Sequence, residues 1–332
     1  MKKVRVAQIG TSQYSHGNDI WKSMAAQSGL YELVGYAMPE NEREKYPDRL
    51  KAFEGYREMT VEEILLDPTI DAVAVETEEK YLTKYALRVA KAKKHIHMEK
   101  PGGCEPAEFE ELIKTVKENG LVFHVGYMYR YNPFIREVVQ KAKDGALGEI
   151  ISVEAQMSCI EPPALRRQLG DYPGGMMFFL GCHLVDLVLQ IQGRPQRILP
   201  LSGSTHREDI HTTDYGMAVF EYPNGVSFVK TNGYEIGGFE RRQLVVTGSE
   251  GTVELKPLEW YEDGLPTTVK AERFDPSWHR HTPTVRSERF DRYDAMMAAF
   301  ASYVRGEKDD PYTPDYELEL YKTLTECCGG IR

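Results

Sequence analysis

The sequence predicts an α/β protein, with a doubly wound parallel sheet in its first domain and an α+β second domain with a large, open, mostly antiparallel sheet. In residues 1–128, short β-branched segments alternate with amphipathic ones, which is the rhythm of β-α-β units. From residue 129 onward, alternating strand segments joined by turn sequences predominate. The length of 332 residues suits two domains, which we place at 1–128 and 129–332.

The first domain is expected to hold parallel strands with helices between them. Its strand segments are short and rich in Val, Ile and Ala, and the intervening segments carry apolar residues at helical spacing. Gly120 follows the last helix, as a C-cap glycine does. The predicted strands are Val4–Gly10, Tyr31–Ala37, Ala72–Glu76, Ile96–Met98 and Val122–Tyr127, and the predicted helices are Asp19–Ser28, Asn41–Phe53, Glu79–Lys91 and Glu105–Asn119.

The second domain changes character after its first helices. Turn sequences such as Pro223-Asn224-Gly225 separate its strand segments, which indicates antiparallel pairing. The polar segment Tyr261–Arg289 shows little periodicity and is expected to be a long loop or a pair of short connections. The last helix is a candidate to pack back on the first domain. The predicted strands are Glu149–Met157, Met217–Tyr222, Val226–Thr231, Arg242–Thr247 and Thr252–Leu255, and the predicted helices are Pro133–Lys143, His183–Ile191, Tyr293–Arg305 and Tyr316–Cys328.

Composition excludes several classes of function. Asp and Glu number 51 against 41 Lys and Arg, so we expect no nucleic-acid partner. The start leads directly into a strand and no stretch of about 20 apolar residues occurs, so we expect a cytoplasmic protein that binds no membrane. The five cysteines lack zinc spacing, and the pairs His95 with His97 and His279 with His281 lack further ligands, so we expect no metal.

The tripeptide Glu99-Lys100-Pro101 directly follows a predicted strand. This places an ammonium group at the carboxyl edge of the sheet, where open α/β folds bind their ligands. A lysine in a partly dehydrated crevice can orient or relay a proton for a substrate hydroxyl. The alternative is a surface lysine before a turn-forming proline.

The first strand-to-helix turn, Ile9–Gly17, stands where a dinucleotide-binding fold carries G-x-G-x-x-G. Only Gly10 matches, because serines occupy positions 12 and 15. The second strand ends at Met38, where an acid is expected to bind the ribose hydroxyls, with Glu40 or Arg43 as nearby substitutes. A plain strand-to-helix turn remains an alternative.

Two further segments carry candidate site residues. His183 and Asp186 lie at i and i+3 on one helix face, where an imidazole can take a proton from an alcohol while a carboxylate fixes its tautomer. The alternative is a buried histidine near a helix start. The segment Tyr127–Pro133 places Tyr129 and Arg130 after a strand, for substrate binding or for packing at the domain junction.

Together these motifs resemble the Gfo/Idh/MocA family, named for glucose-fructose oxidoreductase, inositol dehydrogenase and a rhizopine-catabolism protein. Their order and spacing carry the resemblance, which runs nearly end to end. The matching segments are the first strand and turn, Thr77, Met98–Pro101, Gly126–Pro133, Gly174-Gly175 leading to Gly181-x-His183-x-x-Asp186, and Val246–Thr252.

The resemblance implies a Rossmann-type domain and NAD(P)-linked redox chemistry on a sugar, polyol or similar alcohol. It implies a homo-oligomer, dimer or tetramer, formed through the second-domain sheet. Lys100 and His183 are then the candidate catalytic residues. The candidate substrate-binding residues are Tyr129, Arg130, Tyr172 and Asp186, and the candidate cofactor-binding residues, for NAD or NADP, are Gly10, Ser12, Gln13, Tyr14, Thr77, Glu99 and Lys100.

One departure concerns the chemistry. The family's second motif reads Asp-x-Gly-x-His, and Phe179 occupies the Asp position. A phenyl ring cannot accept a proton, so three hypotheses remain. The protein is a dehydrogenase that relies on Lys100 and His183, a sugar-modifying enzyme that oxidises its substrate transiently without net NADH, or a binding sensor of the same fold.

Overall fold

The computed structural model describes residues 2–277 and 281–329, which divide into two units. The first unit comprises Met1–Met128 and Tyr293–Tyr321, and the second comprises Tyr129–Arg292 and the segment from Lys322 onward. The strands are β1 (Val4–Ile9), β2 (Tyr31–Ala37), β3 (Ala72–Val75), β4 (His95–Met98), β5 (Phe123–Val125), β6 (Ile150–Ser158), β7 (Arg197–Gly203), β8 (Tyr215–Tyr222), β9 (Gly225–Asn232), β10 (Gln243–Gly248), β11 (Thr252–Leu255), β12 (Trp260–Glu262), β13 (Leu265–Thr267), β14 (Val269–Arg273) and β15 (Thr284–Arg286). The α-helices are α1 (Gly17–Ala26), α2 (Glu42–Lys45), α3 (Val61–Leu66), α4 (Glu79–Lys91), α5 (Pro106–Asn119), α6 (Pro133–Lys143), α7 (Pro163–Gln168), α8 (Cys182–Gln192), α9 (Asp294–Val304) and α10 (Pro314–Cys327).

The first unit is built on a parallel sheet in the order β2-β1-β3-β4-β5. Every residue of β3 is buried, as expected for a strand covered by helices on both faces. The chain leaves β2 on one side of β1 and returns as β3 on the other, so the carboxyl ends of β1 and β3 border the crevice where such sheets bind ligands. The predicted parallel sheet is therefore confirmed.

One predicted helix of this unit was wrong and another was missed. Asn41–Phe53 is not a continuous helix but α2 followed by a 3₁₀ segment, Pro47–Phe53, because Pro47 has no N–H to continue the helix. The unpredicted α3 begins at Val61 and is capped by Thr60, whose hydroxyl accepts a hydrogen bond from the Glu63 N–H, while the Glu63 carboxylate accepts one from the Thr60 N–H. This capping box was visible in the sequence.

The second unit holds an eight-stranded sheet in the order β15-β14-β11-β10-β6-β9-β8-β7. Only the β6–β9 pair is parallel, which confirms the predicted mostly antiparallel sheet. Helix α8 is buried along almost its whole length, from Cys182 to Ile191, although it carries the polar residues His183, Asp186 and Gln190. Strand β7 was not predicted, because it is a largely exposed edge strand interrupted by Pro200.

The predicted loop Tyr261–Arg289 contains strands that the sequence analysis did not predict. It contains the hairpin β12–β13, whose turn is formed by Asp263 and Gly264 with positive φ angles of 50° and 81°. Asp-Gly is a strong hairpin signal that the polar composition of the segment obscured. Strands β14 and β15 then extend the large sheet beyond β11. His279, named above as a partner for His281, lies outside the described residues.

Candidate active site

The crevice at the carboxyl ends of β1 and β3 brings together three predicted cofactor-binding residues. Gly10 has a φ of +86°, and a Cβ at this position would lie 2.6 Å from Thr77 Cγ2. Ser12 donates its backbone N–H to the carbonyl of Glu76 at 3.0 Å. The turn after β1 therefore lies directly against the end of β3, and only glycine fits at its first position.

The serines that replace the expected glycines take part in the structure of the turn. Ser15 donates its N–H to Ser12 Oγ at 3.2 Å, and the Ser15 hydroxyl accepts the N–H of Gly17 at 3.2 Å. The other two predicted turn residues differ in burial, since Gln13 is exposed and Tyr14 is half-buried. The hydroxyl groups of Ser12 and Ser15 thus stabilise the backbone of the turn, where the expected sequence has glycines.

Glu99 is buried and held ionised at the end of β4. Its Oε2 accepts the backbone N–H of His16 at 3.0 Å and lies 2.9 Å from His16 Nδ1, while its Oε1 accepts the N–H of Lys100 at 2.9 Å. Burial opposes the charge, but the charge and hydrogen bonds of His16, with the charge of Lys100, outweigh it and hold the pKa of Glu99 well below its usual range. His16 was not among the predicted residues, because nothing in sequence spacing links it to a residue 83 positions away.

Lys100 is 3% exposed, which excludes the alternative of a surface lysine. Two backbone hydrogen bonds position the end of β4 next to it: Glu99 donates its N–H to Val75 of β3, and Gly126 donates its N–H to Met98. The lysine therefore lies buried, directly after an ionised carboxylate, at the ligand-binding edge of the parallel sheet.

A cluster of buried titratable side chains in the same sheet, Glu76, His97 and His124, was not predicted from the sequence. Glu76 Oε1 lies 3.5 Å from His97 Nε2, and His97 Nδ1 lies 2.8 Å from His124 Nδ1. Burial and the neighbouring Glu99 charge raise the pKa of Glu76 well above its ordinary value, and burial lowers the pKa of His97 to about 4. The pKa values of Glu76 and Glu99 shift in opposite directions, which places the negative charge of this carboxylate pair on Glu99.

In the second unit, His183 lies in the first turn of α8 and is 1% exposed. The edge of its ring packs against Tyr129, with ring centroids 5.2 Å apart and planes at 89°. Tyr129 in turn donates its hydroxyl to Glu259 Oε2 at 2.5 Å, and burial followed by the Glu259 charge raises the pKa of Tyr129. Tyr129 is therefore a protonated residue that packs His183 in position.

Glu259 anchors a charge cluster that the sequence did not reveal. Arg292 donates Nε to Glu259 Oε1 at 2.6 Å, and Arg242 Nη1 lies 3.4 Å from Glu259 Oε2. The members are separated by up to 163 positions along the chain, from Tyr129 to Arg292, and share no motif. The two guanidinium groups thus balance the negative charge of the buried Glu259 carboxylate, which accepts the hydrogen bond of the Tyr129 hydroxyl.

The predicted residues Arg130 and Asp186 bind each other. Arg130 donates Nε to Asp186 Oδ2 at 3.0 Å and Nη2 to Asp186 Oδ1 at 2.9 Å, and both side chains are 1% exposed. Gln190 adds a donor to Asp186 Oδ2 at 2.8 Å. This bidentate geometry neutralises the carboxylate and ties α8 to the segment before α6.

Phe179 lies in a π-helical turn, Met177–Gly181, immediately before α8. Its ring stacks on Tyr172 with centroids 6.2 Å apart and planes at 6°. The Tyr172 hydroxyl accepts a hydrogen bond from Gln168 Nε2 at 2.7 Å. The position that carries a carboxylate in the family named above is therefore occupied in this chain by one ring of an aromatic pair. The π-helical turn is a second notable feature, because such turns are frequent at functional sites.

Comparison with known families agrees with this geometry. Residues 4–127 match an oxidoreductase family with an NAD-binding Rossmann fold, and residues 135–254 match the GFO/IDH/MocA C-terminal domain. The chain belongs to the Gfo/Idh/MocA oxidoreductase family. This confirms the predicted family, the oxidoreductase class and the nicotinamide dinucleotide cofactor.

Among individual proteins, the chain is similar to a scyllo-inositol 2-dehydrogenase (NADP(+)) of Bacillus subtilis, with 27% identity over 67% of this chain and 62% of the relative. It is 24% identical to the trans-1,2-dihydrobenzene-1,2-diol dehydrogenase of Bos taurus, over 85% of this chain and 82% of that protein. Its fold matches a levoglucosan dehydrogenase solved with NADH and levoglucosan, with a TM-score of 0.80, 18% identity, and coverage of 99% of this chain and 98% of that one.

The first unit fits a bound dinucleotide. A Cβ at Gly10 would fill the space where the turn backbone meets Thr77, and Glu99 presents an ionised carboxylate at the same sheet edge. Among residues 2–277 and 281–329, no group of three or more His, Cys, Asp or Glu side chains is arranged to hold a metal ion. Over the same residues, no helix is long and apolar enough to cross a membrane.

Proposed function

We propose that the protein is a dehydrogenase that oxidises a secondary alcohol of a sugar, polyol or related cyclic compound with NAD(P). The observation that carries this proposal is the burial of Lys100 immediately after the ionised Glu99, at the ligand-binding edge of a parallel sheet. A buried ammonium group there suits a hydroxyl oxygen that gains negative charge. The relatives named above act on inositols and a cyclic diol, which supports the substrate class.

The chain's own residues supply binding and proton transfer. Bound NAD(P) supplies the hydride acceptor. Lys100 orients the substrate hydroxyl and stabilises the negative charge that develops on its oxygen, while Glu99 keeps the local charge balanced. His183 accepts the hydroxyl proton as the carbon–oxygen single bond becomes a carbonyl. Tyr129 holds the His183 ring by edge-to-face packing.

The test is turnover of purified protein on a panel of inositols, cyclic sugars and cyclic diols, followed as NAD(P)H absorbance. Lys100→Met and His183→Asn are each expected to lower kcat by about 10²–10⁴-fold, the range for removal of a positioned acid or base. Lys114→Met, which alters an exposed lysine of α5, is the matched control and should retain full activity. Undiminished turnover in either site variant would contradict the assigned role.

A second candidate function is favoured by Phe179. Because this aromatic residue stacks on Tyr172 where the family carries a carboxylate, the proton relay of this chain differs from the usual one. Transient oxidation, elimination or hydrolysis of a substituent and return of the hydride fits such a change. Product formation without net change in NAD(P)H absorbance would identify it, and a stoichiometric rise in NAD(P)H would exclude it.

We also propose that the protein forms a homo-oligomer, dimer or tetramer, through the large sheet. Leu199 and Leu201 are 48% and 47% exposed and lie on one face of β7, next to Val219 and Met217 of β8. Sedimentation of the double variant Leu199→Glu, Leu201→Glu should give the monomer mass, while wild type gives a multiple of it. A monomeric wild type would reject this proposal.

A further inference from the structure

A cavity opens at the amino ends of β1, β3 and β4, at the edge of the parallel sheet opposite to the candidate dinucleotide site. Its volume is about 600 Å³, within the range of small-molecule sites. All of its lining residues belong to the first unit. The charged ones come from four segments of the chain and are Lys2, Lys3, Asp71, Lys93, Arg305 and Glu307.

The cavity is positively charged, although the protein is acidic overall. Four cations and two carboxylates line it, whereas the chain as a whole has a formal net charge of -10. Asp71 pairs with Lys2 at 3.0 Å. Glu307 likewise pairs with Arg305 at 2.7 Å. These two ion pairs cancel in charge, so the other two cations give the cavity an excess of two positive charges.

The two unmatched cations are Lys3 and Lys93. Both residues are exposed, and neither forms an ion pair or a side-chain hydrogen bond within the described part of the chain. Lys93 follows the end of α4 with a φ of +58°, where glycine is the usual residue. Its neighbour Lys94, by contrast, donates Nζ to the carbonyl oxygens of Asp67 and Ile70 at 2.6 Å and 3.1 Å. Lys94 thus has a structural role, whereas the ammonium groups of Lys3 and Lys93 are available to a ligand.

His95 adds a neutral donor to the same cavity. Its Nδ1 accepts the backbone N–H of Val122 at 3.0 Å, so the ring proton is on Nε2. Burial lowers the pKa of His95, although the charge of Asp71 opposes this shift, so the ring is neutral at pH 7. The cavity therefore offers an imidazole N–H in addition to its two unmatched ammonium groups.

We propose that this cavity binds a small phosphate ester, with Lys3, Lys93 and His95 as donors to its phosphate group. A phosphate monoester carries about -1.5 to -2 charges at pH 7 and three strong acceptor oxygens. Its charge matches the two excess positive charges, and its oxygens match the three donors. A carboxylate would neutralise only one of the two charges.

The size and the walls of the cavity favour an ester over a bare phosphate ion. A volume of about 600 Å³ is far larger than one phosphate group needs, and Val4, Ile70 and Val304 supply apolar surface for an organic part. The net charge of -10 also repels nucleic acids and anionic membranes, which leaves a small molecule as the phosphate carrier.

The proposed site is separate from the candidate active site. His95 is the first residue of β4, whereas Lys100 lies two residues beyond the last one. At about 3.3 Å per strand residue, the two side chains start at least about 10 Å apart. The inference therefore does not rest on the proposed function.

The test is calorimetric titration with glycerol 3-phosphate and with inorganic phosphate at low ionic strength. Wild type should bind both, and the ester more tightly. Lys3→Gln with Lys93→Gln should weaken binding at least about tenfold, because two charged donors are lost. Lys22→Gln with Lys114→Gln removes the same charge from side chains that are 66% and 74% exposed, and this matched control should bind as wild type does.

Hydrogen exchange locates the bound phosphate. Peptides that contain Lys3, Asp71 and Lys93 should gain protection, while the turn Ile9–Gly17 should not change. Protection of that turn alone would place the phosphate at the dinucleotide site and overturn the proposal.

Three other results would also overturn it: no binding by folded wild type, equal binding by the Lys3 and Lys93 double variant, or tighter binding of inorganic phosphate than of the ester. The first two would leave these lysines as surface charges only. None of these results bears on the dehydrogenase proposal, which is tested by NAD(P)H absorbance.

Discussion

Asp186 lies one helical turn after His183, but its carboxylate forms a bidentate ion pair with Arg130. In this pair both side chains are 1% exposed. Asp186→Asn would leave the Arg130 charge buried without its counter-ion, and we expect a loss of about 3–5 kcal/mol in the free energy of unfolding, measured by urea denaturation. Glu221→Gln, which breaks the exposed pair with Arg197, is the control and should leave the unfolding midpoint nearly unchanged.

At the residue scale, Glu99, Lys100 and His183 could be predicted as candidate site residues from the sequence, because they lie at a strand end and at a helix start. His16, Glu42 and Glu259 were not predicted. Each of these acts on a residue at least 31 positions away in the chain, as Glu42 does on Thr11. Contacts between residues so far apart in the chain leave no periodic pattern in the sequence.

Among the elements, the close approach of β9 to β6 depends on one glycine. A Cβ at Gly225 would lie 1.9 Å from the carbonyl oxygen of Ile151, which is backbone and cannot rotate away. Gly225→Ala is expected to cost about 1–3 kcal/mol, the range for overpacking, measured as a shift in thermal midpoint. Gly29→Ala is the control, since a Cβ there meets nothing within 4 Å, and it should be neutral or slightly stabilising.

The elements that the sequence predicted best are the interior strands and the apolar helix α8. Their residues are apolar because they are covered on one or both faces, so composition and burial agree. The elements it missed include an edge strand and a polar hairpin. Strand β7 is mostly exposed, and the hairpin β12–β13 has a polar sequence in which the Asp263-Gly264 turn is the only strong signal.

On the scale of the whole molecule, chain order and structural units do not coincide. The segment Tyr293–Tyr321 belongs to the first unit, where Phe300 is fully buried and stacks on His124 at 5.3 Å between ring centroids. Phe300→Ala should cost about 3–5 kcal/mol and increase hydrogen exchange in peptides from residues 2–128. Peptides from the eight-stranded sheet should change little.

Phe220→Ala provides the reciprocal control. Phe220 is fully buried in β8 of the second unit, so its truncation should raise exchange in the eight-stranded sheet and leave β1–β5 protected. If both variants loosened both units to the same extent, the division into these two units would not describe the protein's cooperative units of unfolding.

The sequence by itself determined the α/β class, the parallel and mostly antiparallel sheets, the family, and the positions of Glu99, Lys100 and His183. It could do so because burial periodicity, turn residues and motif spacing are local properties of the chain. Only the tertiary structure decided that His16 holds Glu99, that Arg130 neutralises Asp186, that Phe179 stacks on Tyr172, and that Glu42 accepts the N–H of Thr11 in the turn after β1. These pairings bring together residues from different elements, and which side chains meet is settled by how the elements pack.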